Sequence, residues 1–211
     1  MPIVFCDLET TGLDPSVDDV AEIAVIITDD KLNELGRFER VISLWYARDC
    51  QLWFENPGDQ PALDRLYGAI GRTIDPYVLN MRGKNSLWQA SADSENRRFE
   101  IDLQAREWLM TTLGVDKLGE KIGPQLAGNT INFDRAFLRT HFPHIFKSLH
   151  YHNIDLSTMN EMAKRFNPDL YSGRPGQNTE STHRSMSDCD HSLALARYYA
   201  ANLADGVKDA A

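Results

Sequence analysis

The sequence is short of cysteine. Its three cysteines, Cys6, Cys50 and Cys189, lie far apart, are odd in number and form no Cys-x-x-Cys pair. A small disulfide-bonded scaffold and a zinc or redox site of paired cysteines both need cysteines in sets at close spacing, so both classes are excluded. The pattern is typical of reduced thiols, and we expect a cytoplasmic protein.

Long apolar runs are also missing. No uncharged apolar stretch approaches the ~20 residues that span a bilayer. The N-terminus lacks the basic segment and apolar run of a secretory signal. With 211 residues, 42% of them hydrophobic and 25% charged, the chain is typical of one globular domain, and we expect residues 1–211 to form it without membrane contact.

Positive charge is in deficit. There are 22 basic and 31 acidic residues, which gives a net charge of −9. Proteins that coat long nucleic acids neutralise many phosphates with lysine and arginine, and this composition argues against such a role. A short nucleic acid held by a few contacts and by metal ions remains compatible with it.

The spacing of apolar residues predicts an α/β protein with a mixed sheet. Three strands are predicted at 3–9, 20–28 and 37–44, followed by strands at 125–128 and 151–155. Helices are predicted at 101–113, 133–140, 156–166 and 187–203. The segment 45–98, with scattered proline, glycine and aromatic residues, is predicted to be an irregular insertion of short helices and loops, and 167–182 a polar loop.

Two acids follow the apolar run of the first strand. In VFCDLETTGLDP, Asp7 and Glu9 are two residues apart, so their side chains point to the same side of the strand. Like charges there repel each other, and the pKa of one carboxyl should rise unless a cation joins them. A solvated strand end is the alternative, and the spacing alone favours it.

Two further acids lie in predicted first turns of helices. Asp134 stands in GNTINFDRAFLR and Asp188 in HRSMSDCDH. Each alone is explained by the helix dipole, which favours an acid near the N-terminus. Four carboxylates with few imidazoles nearby instead favour a hard ion, Mg²⁺ or Mn²⁺. A transition-metal pair of Asp188 and His191 is a less favoured alternative, because His191 shares its face with packing residues.

Taken in order, FCDLETTGLDP, GNTINFD and a histidine five residues before Asp188 resemble the three motifs of the DEDDh superfamily of 3′-to-5′ exonucleases. The segments YHNIDLSTMNEMAKRF (151–166) and THRSMSDCDHSLALARYY (182–199) resemble oligoribonucleases in particular. The resemblance covers about 1–44 and 101–203, whereas 45–98 matches poorly. It implies an RNase H-like fold, with a five-stranded mixed sheet flanked by helices.

The resemblance also implies a site. Asp7, Glu9, Asp134 and Asp188 would hold two divalent cations, Mg²⁺ or Mn²⁺, with Asp7 between them, and His183 would take a proton from the attacking water. The implied activity is metal-dependent 3′-to-5′ hydrolysis of short single-stranded RNA to nucleoside 5′-monophosphates. A 3′-to-5′ DNA exonuclease is the alternative, and a noncatalytic nucleic-acid-binding module is a third reading.

Further residues are expected to bind the substrate by the same resemblance. Thr10, Thr11 and Gly12 would form the floor under the 3′ end, and Leu13 would wedge between the terminal bases unless it only anchors its loop. The other expected contacts are Thr130, Tyr151, His152, Ser157 and Thr158. Thr130, Ser157 and Thr158 are candidate phosphate donors, and His152 stands where an arginine is expected.

For the aromatic residues, two pairs of alternative roles stay open. Tyr151 matches a tyrosine given across the interface of a homodimer, unless it is a core residue at a strand start. Aromatics of the insertion either stack on bases or pack the insertion onto the sheet: Trp45, Tyr46, Trp53, Phe54 and Trp88.

Overall fold

A five-stranded mixed sheet organises the fold. The computed structural model describes residues 1–176 and 183–208, the side chains of 204–208 excepted. The strands are β1 (Ile3–Thr10), β2 (Val20–Thr28), β3 (Glu34–Val41), β4 (Gln125–Gly128) and β5 (Asn153–Asp155), in the order β3-β2-β1-β4-β5. β1, β2 and β3 pair antiparallel, while β4 runs parallel to β1 and β5 parallel to β4. The predicted RNase H-like mixed sheet is confirmed.

Helices cover both faces of the sheet. They are α1 (Ala47–Glu55), α2 (Gln60–Ile70), α3 (Pro76–Lys84), α4 (Leu87–Asp93), α5 (Arg98–Leu113), α6 (Asn132–His141), α7 (Pro143–Phe146), α8 (Leu156–Phe166), α9 (Pro168–Ser172) and α10 (Ser185–Lys208). Among the described residues no helix is both long and apolar enough to cross a membrane.

Successive side chains of β1 point to opposite faces of the sheet, and each face has its own apolar core. Val4 and Cys6 pack with residues of α5 and α6, for example Ile101 and Phe137. Phe5, on the other face, packs with residues of α8 and α10. Because side chains of a strand alternate, the odd-numbered acids of β1 lie on the face covered by α10.

The inserted segment has an apolar cluster of its own. Its four short helices, α1 to α4, bury Leu66, Leu79 and Trp88 together with Ala21 and Leu44. The Trp88 indole N–H donates to the Leu79 carbonyl at 2.9 Å. Tyr46 and Trp53 are buried in the same cluster, so Tyr46, Trp53 and Trp88 pack the insertion rather than stack on bases. Base stacking stays a prediction for Trp45, which is 69% exposed, and for the half-buried Phe54.

The structure shifts several predicted boundaries, among them those of β3, of the polar loop and of the last helix. β3 was predicted at 37–44 but ends at Val41, because Ile42 and Leu44 leave the ladder and are buried in separate apolar clusters. The predicted polar loop 167–182 contains α9, where the Leu170 N–H donates to the Asn167 side chain at 3.1 Å. Residues 177–182 lie outside the described part. The last helix begins at Ser185, two residues before the predicted start, and extends to Lys208.

Candidate active site

Asp7 and Glu9 lie on one face of β1, as predicted. Glu9 is buried, and its partner across the antiparallel ladder is Glu22 of β2. Asp188, in the first turn of α10, joins them from the helix that covers this face. One carboxylate oxygen from each of Asp7, Glu9 and Asp188 lies within 4.8 Å of the others.

Asp134 reaches the same place from α6. It is buried, and its Oδ1 accepts a hydrogen bond from the Leu8 backbone N–H of β1 at 3.0 Å. The solvated strand end is therefore the wrong explanation for the acids of β1, and Asp134 binds β1 rather than only its own helix. All four acids line one cavity of about 300 Å³, together with Leu8, Leu13, Asn129, Thr130, Phe133 and His183.

Burial and mutual repulsion raise the pKa values of these acids. Burial raises the pKa of Asp7 to about 7, and the neighbouring Asp188 adds to the shift. Burial also raises the pKa of Asp134, with a further contribution from Asp7. For Glu9, burial raises the pKa while the Arg82 guanidinium opposes the shift. Each raised pKa means that the surroundings compensate the negative charge of the carboxylate poorly. A bound cation would compensate that charge.

The donor set fits a hard divalent ion. Its converging atoms are carboxylate oxygens, the ligand type that Mg²⁺ and Mn²⁺ prefer. Within 1–176 and 183–208, Asp7, Glu9 and Asp188 are the one group of three or more His, Cys, Asp or Glu side chains that converges in this way. His191 is outside the group, and its ring packs against the backbone of Gly176, so the Asp188–His191 alternative gains no support.

Arg82 is a residue that the sequence did not indicate. It is buried, its Nη1 pairs with Glu9 Oε2, and its Nε and Nη2 donate to the Thr10 carbonyl at 3.3 and 3.2 Å. No motif marks it, because it lies on α3 of the insertion. Asn129 and Phe133 were also missed as lining residues, although GNTINFD contains both.

His183 lines the cavity just before α10. Its backbone φ is +49°, in the left-handed region, and its carbonyl accepts a hydrogen bond from Asn85 Nδ2 at 2.5 Å. The next residue, Arg184, donates through Nε to both oxygens of Glu22 at 3.0 Å. Glu22 Oε2 also accepts from the Ser185 N–H at 2.9 Å, which ties the start of α10 to β2.

The loop after β1 is fixed by its own hydrogen bonds. Thr10 Oγ1 donates to the Gly12 carbonyl at 2.7 Å, and Thr11 Oγ1 accepts from Asp19 N–H at 2.9 Å. A Cβ on Gly12 would collide with the carboxylate of Asp18, so the close approach of these two residues requires glycine.

Leu13, in the same loop, is 81% exposed and borders the cavity. It does not anchor the loop by burial, so that alternative is wrong. An exposed leucine beside the acids is compatible with the predicted wedge.

The predicted phosphate donors fall into two places. Thr130 lines the cavity, and its N–H donates to Ser157 Oγ at 2.9 Å. Ser157 and Thr158 begin α8, where both of their N–H groups donate to Asp155 Oδ1. They line a separate depression with Met162 and Phe166 rather than the acidic cavity.

Tyr151 and His152 are on the surface. Tyr151 is 56% exposed, and its ring stands 4.5 Å from that of His150 and 4.1 Å from that of His152, measured between centroids. The alternative in which Tyr151 is a core residue is therefore wrong. An exposed aromatic cluster is compatible with an interface.

Comparisons with known proteins agree with this fold. No protein-family profile matches the chain. The oligoribonuclease of Acinetobacter baylyi is 30% identical over 197 residues, covering 93% of this chain and 91% of the relative. The oligoribonucleases of Shewanella sp. (strain W3-18-1) and Tropheryma whipplei are each 29% identical over 93% of the chain, covering 92% and 90% of those relatives.

Solved structures with the same fold include two exonuclease I proteins. E. coli exonuclease I in complex with a dA16 oligonucleotide superimposes with a TM-score of 0.59 at 18% identity, and the enzyme of Methylocaldum szegediense with 0.60 at 19%. Both matches cover 93% of this chain but span only 40% of the exonuclease I chain. The chain belongs to the oligoribonuclease family and is a 3′-to-5′ exonuclease of the DEDDh superfamily.

Proposed function

We propose that this protein is a metal-dependent exoribonuclease that releases nucleoside 5′-monophosphates from the 3′ end of short single-stranded RNA. The observation that carries the proposal is the convergence of Asp7, Glu9 and Asp188 oxygens within 4.8 Å, in a cavity that Asp134 and His183 also line. On this proposal residues 1–211 are a single exonuclease domain, with 45–98 inserted in it.

Asp7, Glu9, Asp134 and Asp188 are the residues that would hold two divalent cations, Mg²⁺ or Mn²⁺. When bound, such ions supply positive charge for the phosphate and for the attacking and leaving oxygens. The chain itself contributes the buried carboxylates that repel one another without cations, which favours binding.

His183 is the proposed general base. A neutral imidazole has a nitrogen lone pair that can accept the proton of the attacking water. As that oxygen attacks the phosphorus, the bond from phosphorus to the 3′ oxygen breaks. The 3′ oxygen of the shortened strand takes up a proton from solvent and becomes a hydroxyl, and the released nucleotide carries a 5′-phosphate.

Short substrates are favoured by the size and charge of the surface. The cavity of about 300 Å³ is small, and the net charge of −9 gives long polymers little nonspecific attraction. Thr10, Thr11 and Gly12 would support the 3′ nucleotide, with exposed Leu13 between bases. The remaining proposed contacts with the oligonucleotide are Thr130, Tyr151, His152, Ser157 and Thr158.

The proposed active unit is a homodimer. Tyr151 is exposed beside two histidine rings, and Met162 and Phe166 expose apolar surface on α8. Exposed apolar patches of this kind are typical of surfaces that another protein covers.

A matched pair of variants on α10 tests the site. Asp188 lines the cavity, whereas Asp190, two residues on, is exposed and pairs with Arg37 at 2.8 Å. Asp188→Asn should abolish cleavage of a 5′-labelled RNA trimer in Mg²⁺, and Asp190→Asn should cleave at the wild-type rate. Equal rates for the two variants would remove Asp188 from the site.

A DNA exonuclease is the second candidate. Exonuclease I, which shares the fold, is solved in complex with DNA oligonucleotides. His152 in place of an arginine weakens the expected phosphate contact, because imidazole cannot match the bidentate geometry of a guanidinium. The cleavage rates of RNA and DNA of equal length, measured side by side, distinguish an exoribonuclease from a DNA exonuclease.

A further inference from the structure

The end of helix α3 contacts both halves of the candidate site. Arg82 pairs with Glu9 of β1, and Asn85, the C-terminal cap of α3, donates to the carbonyl of His183 before α10. The two residues are three apart, which places them on one side of the helix end. One short helix of the insertion therefore reaches the strand that carries two acids and the segment that carries the histidine.

His183 has a backbone that needs support. Its φ of +49° lies where the Cβ of an L-residue crowds the neighbouring carbonyl, so residues other than glycine rarely adopt it. Such conformations persist when the surrounding structure fixes them. Here the fixing contacts come from two directions: Asn85 holds the carbonyl of His183, and Glu22 holds the side chain of Arg184 and the N–H of Ser185.

The side-chain amide of Asn85 has two separate contacts. Its Oδ1 accepts a hydrogen bond from Leu87 N–H at 3.1 Å, near the start of α4. That contact alone would explain a cap residue at the junction of α3 and α4. The Nδ2 group makes the second contact, to a carbonyl 98 positions away, which the local turn does not need.

We propose that Asn85 is a positioning residue for the general base, holding the carbonyl of His183 so that the imidazole stands at the acidic cavity. This inference rests on the proposed role of His183. The proposal includes segment 45–98 in the active site, because this segment supplies the Asn85 amide that donates to the backbone of His183. Misplacing a catalytic group by about 1 Å can slow a reaction roughly 100-fold, so a single hydrogen bond to its backbone is worth testing.

Two substitutions of Asn85 separate its two contacts. Asn85→Asp keeps an oxygen for Leu87 N–H and removes the donor to His183, whereas Asn85→Ala removes both. Asn56→Ala is the control, because Asn56 also caps a helix of the insertion but its amide donates to Leu52 within the same helix. We expect both Asn85 variants to lower kcat roughly 10- to 100-fold. For Asn85→Ala we expect the KM, and the Mg²⁺ affinity measured by calorimetry, to stay within about twofold of wild type. Asn56→Ala should keep the wild-type kcat.

A double variant tests whether Asn85 acts through His183. In a His183→Ala background, Asn85→Ala should cause no further loss of kcat, because the group that it positions is gone. A second multiplicative loss would overturn the proposal, as would an unchanged kcat in either Asn85 variant or an equal loss in Asn56→Ala.

An NMR measurement tests the positioning without reference to activity. The ring Cε1–H signal of His183 and the amide signal of Arg184 should shift in Asn85→Ala and stay in place in Asn56→Ala. Unmoved signals would overturn the positioning role even if the protein cleaves RNA. If His183→Ala retains full activity while the signals do shift, the base assignment fails and the backbone contact stands.

Discussion

At the scale of single residues, the site consists of carboxylates placed where charge is costly. Asp134 is buried and receives one backbone hydrogen bond, and burial raises its pKa. Asp7 shares the cavity and the same kind of shift. Such groups lower the free energy of unfolding unless a cation joins them, which supports the proposal that they bind one.

Asp134→Asn separates charge from structure. The asparagine keeps an oxygen that can accept from Leu8 N–H, so we expect the far-UV circular dichroism spectrum to match wild type while RNA cleavage is abolished. Retained cleavage would remove Asp134 from the catalytic group, and a lost fold would assign it a structural role instead.

The raised pKa of Asp7 predicts how metal-free stability depends on pH. The folded protein holds the Asp7 proton more tightly than the unfolded chain, since the pKa rises from 3.8 to about 7. The resulting stabilisation is full below pH ~4 and is lost as pH rises through about 7. We therefore expect the melting temperature of wild type relative to Asp7→Asn to fall between pH 5 and pH 8.

Mg²⁺ should reverse that loss. Ligand carboxylates must be deprotonated to bind a cation, so the rise in melting temperature at millimolar Mg²⁺ should be larger at pH 8 than at pH 5. Asp7→Asn should show a smaller rise at both values. A rise that is equal at pH 5 and pH 8 would contradict the assignment of Asp7 as a ligand.

Sequence reasoning found the acids but not their supporting residues. Asp7 and Glu9 stand out because an apolar strand ends on them, and Asp134 follows a turn at the start of a helix. Arg82 and Asn85 lie in a segment without motif or periodic signal, and their contacts span 72 and 98 positions along the chain. Only the three-dimensional packing of α3 against the sheet reveals them.

At the scale of elements, prediction succeeded where local pattern and tertiary packing agree. The bounds of β2, β4 and α8 match the predicted ones, because apolar spacing and turn residues coincide there. β3 ends early because Ile42 and Leu44 are buried outside the sheet, and an apolar run does not distinguish ladder pairing from other burial.

The insertion should unfold together with the sheet. Leu66 is buried in the cluster that joins α1–α4 to Ala21 and Leu44, while Leu52 of α1 is 48% exposed. We expect Leu66→Ala to lower the free energy of unfolding by about 2–5 kcal/mol and Leu52→Ala by less than about 1 kcal/mol, measured by urea denaturation. Both variants should unfold in a single transition. A separate transition at lower urea concentration in Leu66→Ala would show that 45–98 unfolds as an independent unit.

At the scale of the whole molecule, the oligomeric state is the first property to test. If Tyr151 and Phe166 lie in a dimer interface, Tyr151→Ala and Phe166→Ala should shift sedimentation velocity from dimer toward monomer. Phe99→Ala is the control, because Phe99 is similarly exposed, but on α5. A monomeric wild-type protein, or equal weakening by Phe99→Ala, would contradict this interface.

The length and sugar of the substrate test the central claim most directly. Matched 5′-labelled RNA and single-stranded DNA of two to seven nucleotides, and a long DNA, would be incubated with the protein and Mg²⁺. We predict that the short RNAs are shortened stepwise from the 3′ end to nucleoside 5′-monophosphates, faster than DNA of the same length. Faster hydrolysis of the long DNA than of any short RNA would contradict the account.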